Sequence, residues 1–374
     1  MKKAAIITIL DNTNYGTYLQ ALALVKQVEQ TGLEVEIIDY IRPCMSVKYK
    51  LAAIKNPLKK LYNKFYSIPK WQQLRQKDHS FLSKFAKFTT HTYHSFQELE
   101  LQPPLADIYI TGSDQVWNSI YNHGIDKSFY LDFAPYHTKR IAYGASIGMS
   151  EIPAREIKET AELLDKYDAI TVREMDAKLI LAKIGFENTT IVLDPTLLLN
   201  VEEWKGIATQ YPDIETEPFI LVYSVETDKE NSLIEQYASA ISKKHGWKIY
   251  EISYFSYRRR LKFADRHFME ATPEVFLQLM LKAEFVIVSS FHGTAFAINF
   301  NKQFLTIAPN RFNSRVNNIL NLFHLENRLV TSTKFDTENL PLIDYMAVNK
   351  ILDTERKKSI AVLHELLGAS LATY

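Results

Sequence analysis

The chain has 374 residues, more than one hydrophobic core of ordinary size accommodates, so two domains are expected. Hydrophobic residues make up 47% and charged residues 23%, ordinary for a soluble globular protein, and a net charge of +1 gives no bias towards polyanions, which excludes nucleic acid as an expected partner. The single cysteine, Cys44, excludes an internal disulfide and any multi-cysteine metal site and fits a cytoplasmic location.

Met1-Lys2-Lys3 ahead of Ala4 to Leu10 has the outline of a secretion signal. The apolar run stops at Asp11-Asn12 with no small-residue cleavage site, so a first strand is expected there instead. A helix from Gly16 to Thr31 and a strand from Leu33 to Tyr40 complete a βαβ unit, which requires a parallel sheet covered by helices. Further strands are expected at Asp107 to Thr111, Arg140 to Ser146, Ala169 to Arg173 and Thr190 to Leu193, with a helix from Glu156 to Lys166. A second alternating series follows: strand Phe219 to Ser224, helix Asn231 to His245, strand Lys248 to Ile252, helix Pro273 to Lys282 and strands Phe285 to Val288 and Phe304 to Ala308. The expected architecture is therefore α/β, two Rossmann-like doubly wound halves facing across a cleft that takes the ligand. Their expected bounds are 1–195 for the acceptor side and 196–345 for the donor side, with 346–374 holding a last helix, about Thr354 to Leu371, that can pack on either half. No run approaches the roughly 20 apolar residues of a membrane span.

One insertion, about residues 45–100, breaks the alternation. Between Lys48 and Lys87 it carries eleven Lys/Arg and one acid, Asp78, interleaved with Tyr49, Tyr62, Phe65, Tyr66, Trp71, Phe81 and Phe85. Pro57 and Pro69 divide it into short helices. A solvated basic face is the plainer reading; contact with an anionic membrane surface or glycan is the functional one.

The most informative stretch is Ser289 to Ala297. It follows the apolar strand Phe285 to Val288 and leads into a helix expected to start near Thr294. A strand that opens a helix through a small-residue turn gathers backbone N–H groups and a positive dipole end, and His292 stands beside that anion site. A buried structural histidine is the alternative. At the other strand ends, Asn14, Tyr15 and Gln20 can contact a sugar or phosphate, although Asn14 can equally cap the helix. Asp114 can act as a base and Trp117 can stack on a sugar ring, against a plain capping role for Ser113 or Asp114. Arg173 and Arg315 suit a carboxylate or phosphate; a salt bridge from Arg173 to Glu174 or Asp194 is the structural alternative. Arg258-Arg259-Arg260 with Lys262 reads as a solvated turn. His91 and His94 lack a third ligand, so no metal is expected. The absence of a Gly-x-Gly-x-x-Gly run argues against a dinucleotide dehydrogenase.

Several segments, taken in order, resemble the polysaccharide pyruvyl transferase family: Asn14 to Leu24, Thr111 to Asn118, Phe129 to Phe133, Ala142 to Ser146, Val172-Arg173-Glu174, Leu193 to Leu198 and Ser290 to Phe296. The resemblance covers about residues 5 to 330 and implies a fold like that of GT-B glycosyltransferases. It also implies transfer of a pyruvyl group from phosphoenolpyruvate to two hydroxyls of a cell-surface polysaccharide sugar or its lipid-linked precursor, with no cofactor besides that donor. His292 matches the family's motif histidine and Arg173 its arginine after a strand. Some branches carry arginine two positions before the histidine, where this chain has Ser290, so the donor anion falls to Arg173 and Arg315 with Ser290 and the Gly293 and Thr294 amides. In this scheme His292 is the acid/base, Asp114 the acceptor-side base, and Asn14, Tyr15, Gln20 and Trp117 contact the sugar. The rivals are a nucleotide-sugar glycosyltransferase of the same shape and a catalytically silent glycan-binding protein of envelope assembly.

Overall fold

The computed structural model describes residues 2–11, 14–225, 228–253, 260–308, 313–332, 336 and 340–368. Asn12, Arg258, Arg259 and the end of the last expected helix lie outside the described residues. The chain divides into two units: residues 1–13, 17–198 and 357–374 form the first, and 14–16 with 199–356 form the second.

In the first unit the strands are β1 (Lys3–Ile7), β2 (Glu34–Ile37), β3 (Lys87–Phe88), β4 (Ile108–Thr111), β5 (Lys139–Ala145), β6 (Ala169–Val172) and β7 (Thr190–Ile191). They form one sheet in the order β3-β2-β1-β4-β5-β6-β7, every neighbouring pair parallel. Ala4 to Ile7 and Ile108 to Thr111 are buried throughout, as strands covered by helices on both faces must be. Chain order reverses between β1 and β4, which in doubly wound folds is where ligands sit.

The second unit repeats the plan with β8 (Phe219–Tyr223), β9 (Lys248–Ser253), β10 (Arg266–Met269), β11 (Phe285–Val288), β12 (Gln303–Ile307) and β13 (Leu329–Val330). Their order is β10-β9-β8-β11-β12-β13, again parallel, so the reversal falls between β8 and β11. Ile220, Val222, Ile287, Leu305 and Ile307 build the core against Ile234, Tyr237 and Ala238 of the helix Asp228–His245.

The expected class, two doubly wound α/β halves, is the observed one, and the longer strands fall where hydrophobic runs put them. The differences lie at the margins. β3 and β13 have two residues each and β10 is only partly buried, so none carries a period that a sequence can display. The last helix runs Tyr345–Leu367, starting well before Thr354. Its residues from Lys357 onward belong to the first unit, where Ser359 Oγ accepts from the Leu193 amide at 2.9 Å. Most consequential, the helix after β11 spans Phe291–Asn299 rather than beginning near Thr294.

Candidate active site

That earlier helix start changes the position of His292. Ser290 is the N-cap, with extended backbone and its hydroxyl accepting from the Gly293 amide at 3.0 Å. His292 is therefore the second residue of the helix, immediately beyond β11 at the reversal point of the second sheet. Gly293 brings this helix close to the strand: a methyl group there would lie 2.8 Å from Val288 Cγ1. The Thr294 amide is bonded to the Ser290 carbonyl at 3.0 Å, and its hydroxyl reaches that carbonyl and Thr306. The Gly293 and Thr294 amides, expected to hold a phosphate, are thus already engaged inside the helix. An anion at this helix start would face the Phe291 and His292 amides instead.

The His292 imidazole is held from two sides. The Phe291 ring meets it edge-on at 5.3 Å between centroids. Gly16 packs directly on it, so a methyl group at position 16 would lie 2.1 Å from His292 Cγ and 2.2 Å from Nδ1. Asn14 and Tyr15 build the approach to that contact. Asn14 Oδ1 accepts from the Gly16 amide at 2.9 Å, the helix-capping geometry, and from the Tyr223 hydroxyl at 3.1 Å. Tyr15 is fully buried, stacked on Phe276 at 4.9 Å and tilted against Tyr223 at 5.6 Å. Tyr15 is accordingly a packing residue that fixes the loop, not a surface offered to a sugar, while Asn14 stays partly exposed. Arg315, partly exposed, lies in the first turn of the helix Asn313–Leu322, which packs on the His292 helix. The neighbours Tyr223 and Phe276 escaped the sequence reading, because single residues in apolar strands and helices carry no motif. Ser289 Oγ accepts from the Val225 amide at 3.2 Å and donates to Ser224 Oγ at 3.1 Å, tying the ends of β8 and β11 together.

The first unit gathers a different group. Asp114 follows β4 with φ 77°, a left-handed conformation that a non-glycine residue adopts at a cost. Its Oδ1 accepts from the Gln115 amide at 2.9 Å, its Oδ2 from Thr17 Oγ1 at 3.1 Å, and Arg173 lies 3.6 Å away. Arg173 was expected to hold a donor anion. Its side chain is instead 0% exposed and meets three carboxylates: Asp194 at 2.6 Å, Glu174 at 3.3 Å and Asp114 at 3.6 Å. Burial opposes the guanidinium charge, but Asp194, then Glu174 and Asp114, more than offset it, and the pKa is raised. Three acids around one cation leave surplus negative charge, which repels a phosphate. The salt-bridge alternative for Arg173 is the one the structure adopts. Ser113 Oγ donates to Asp194 at 3.0 Å, and Asp194 Oδ1 accepts from the Thr196 amide and hydroxyl, so the cluster braces the ends of β4 and β6.

Gln20 and Trp117 are also interior. Gln20 is 0% exposed and donates to Thr8 Oγ1 at 3.0 Å and to the Thr17 carbonyl at 2.9 Å. Trp117 is buried, stacked on Tyr130 at 5.6 Å and donating to the Phe129 carbonyl at 3.1 Å. Neither side chain presents itself to a sugar. Among the described residues no group of three His, Cys, Asp or Glu could hold a metal ion.

Two predictions follow from this geometry. Alanine is favoured over glycine within a helix by about 1 kcal/mol, so Gly16→Ala would stabilise an unconstrained helix. Here the methyl must displace His292, and we expect a net loss of about 1–3 kcal/mol in urea unfolding together with a shifted His292 ring resonance by NMR. A stabilised variant with an unmoved histidine would refute the contact. Arg173→Met strands three buried carboxylates and should lower stability by about 3–5 kcal/mol in the same measurement, whereas a loss below about 1 kcal/mol would mean the cluster does not brace the unit.

The family model described as polysaccharide pyruvyl transferase matches residues 14–311. No curated protein sequence matches the chain. Solved structures share the fold at low identity. The UDP-GlcNAc 2-epimerase of Methanocaldococcus jannaschii is 14% identical with a TM-score of 0.52, 98% of this chain and 99% of that one being covered. A Staphylococcus aureus protein, MnaA in a co-structure with UDP, is 13% identical with a TM-score of 0.52 over 100% and 99%. Another UDP-N-acetylglucosamine 2-epimerase reaches a TM-score of 0.55 at 9% identity over 100% and 99%. These likenesses are of fold alone.

Proposed function

The chain belongs to the polysaccharide pyruvyl transferase family, and from that premise we propose that it transfers a pyruvyl group from phosphoenolpyruvate to two hydroxyls of a polysaccharide sugar or its precursor. The observation that carries this reading is the placement of His292: second residue of a capped helix, at the reversal point of a parallel sheet, with its ring fixed by Gly16.

The reaction balances as follows. A proton adds to the methylene carbon of the enol phosphate, making it a methyl group and leaving an oxocarbenium-like centre at the neighbouring carbon. One sugar hydroxyl attacks that centre and gives up its proton. The carbon–oxygen bond to phosphate then breaks, its electron pair leaving with phosphate, and the second hydroxyl closes the ketal as its proton passes to the departing phosphate. The sum is one donor and one diol giving one ketal and one inorganic phosphate.

In this scheme His292 delivers the proton to the methylene carbon and recovers one from an attacking hydroxyl. A ring locked in orientation suits that task, because an imidazole free to rotate would spend much of its time aimed elsewhere. The helix start, through the Phe291 and His292 amides, and Arg315 supply positive potential for carboxylate and phosphate. Arg173 is assigned no donor contact, since its charge is consumed by Asp194, Glu174 and Asp114. Asn14 is the sugar-contact candidate that retains exposure. Asp114 keeps its candidacy as base only with Thr17 and Arg173 as competing partners.

Incubation with phosphoenolpyruvate and a panel of glycan acceptors should release inorganic phosphate only when an acceptor is present, with a matching pyruvyl mass gain on the glycan. Release of a nucleoside diphosphate from a nucleotide sugar instead would overturn the assignment. His292→Gln should lower kcat by about 10²–10⁴-fold while leaving thermal unfolding unchanged. Near-native turnover in that variant would remove the acid/base role.

A further inference from the structure

The basic aromatic insertion takes no part in the reaction just described, and its structure is unusual in where its apolar residues point. Pro57–Tyr62 and Ile68–Leu82 are helical and are joined without a break by a π-helical turn, Asn63–Ser67. Asn56 caps the start, accepting from the Leu58 and Lys59 amides. The second half is anchored in the ordinary way, with Ile68, Leu74, Phe81 and Leu82 buried. The first half is not. Leu58 is 78% exposed, Leu61 56%, Tyr62 53% and Phe65 68%, and Tyr66 also faces solvent.

Positions 58, 61, 62 and 65 have the i, i+3, i+4, i+7 spacing of one helix face. In a folded domain such a stripe normally covers the core; here it is turned outward, and a contiguous exposed apolar patch marks a surface built to be covered. Lys55, Lys59, Lys60 and Lys64 flank it, all exposed, with Lys64 Nζ 5.5 Å from the centre of the Phe65 ring. The one acid between Lys48 and Lys87, Asp78, is 2% exposed, so within that stretch no carboxylate reaches the surface to balance them.

We propose that this helical arm is a peripheral membrane-docking surface for a bilayer containing anionic phospholipids. Charge and apolar pattern together select that occupant. An amphipathic helix with lysines beside Leu, Tyr and Phe lies in the headgroup plane, the apolar face sunk among acyl chains and the ammonium groups against lipid phosphates. A soluble polyanion would meet the lysines but leave Leu58, Leu61 and Phe65 in water. A second copy pairing through the same patch about a two-fold axis would bring lysine against lysine. The proposal stands apart from the reaction, since it rests on residues to which the reaction assigns no role.

Vesicle flotation tests it with the full chain, using phosphatidylcholine alone and phosphatidylcholine mixed with phosphatidylglycerol. The protein should float with the anionic vesicles and remain behind with the neutral ones. Lys59→Glu with Lys60→Glu should weaken binding about tenfold or more, and so should Leu58→Ser with Phe65→Ser. Both pairs alter residues on the open surface, so thermal unfolding should match the native chain and confirm that binding alone has changed. Failure of the native chain to float with either vesicle overturns the proposal. So does flotation indifferent to both variant pairs, or a native dimer in sedimentation that Leu58→Ser with Phe65→Ser splits while vesicle binding is absent.

Discussion

The parallel pairing of β8 with β11 governs what the second unit can do. Because all strands of that sheet run the same way, the loops that follow them leave from one edge, and the reversal of chain order sets the segments after β8 and β11 side by side there. The segment after β11 has only Ser289 and Ser290 before the helix begins, so whatever residue stands two places into that helix is held at the reversal point with little freedom, 3% exposed. The residue is His292. Ser290 caps the helix, Gly293 lets it lie close to the strand, and the hydroxyl of Ser289 ties the end of β11 to Ser224 after β8.

The same logic acts in the first unit with an opposite electrostatic outcome. There the strand ends converge on a buried guanidinium surrounded by acids rather than on an imidazole beside helix amides. Removing an ion cluster of this kind from water carries a large desolvation cost, which is repaid only by close geometry and by extra hydrogen bonds such as those from Ser113 and Thr196 to Asp194. A cluster so fully engaged fixes the loops that carry it, including Asp114 in its left-handed conformation. Two units of one topology have thus put similar strand-end positions to different uses.

How much of this a sequence reveals depends on the length scale of the signal. Buried parallel strands such as Phe285–Val288 and Phe219–Tyr223 are continuous apolar runs, and alternation with helices made the doubly wound class legible. His292 was legible as a histidine at a strand end, but its helix position was not, since Phe291 and His292 carry no mark that the helix starts three residues before Thr294. The roles expected of Arg173, Trp117, Tyr15 and Gln20 failed to match their surroundings for one shared reason. Residues that can bind sugars and phosphates, namely arginine, aromatic rings and amides, are also those a buried strand end uses to satisfy its own polar groups and fill its own gaps. Only the three-dimensional partner, Asp194 for Arg173 or Tyr130 for Trp117, separates the two uses.

The edges of the two sheets carry a further implication. Three of the four, β3, β7 and β13, are strands of only two residues, and the fourth, β10, has Arg266 lying over Tyr250 and Phe268. A strand of two residues offers too short a row of backbone donors and acceptors to template another polypeptide. A chain rich in parallel strands is thereby guarded against the edge-to-edge growth that ends in fibrils, and its recognition of other molecules is left to side chains and helices.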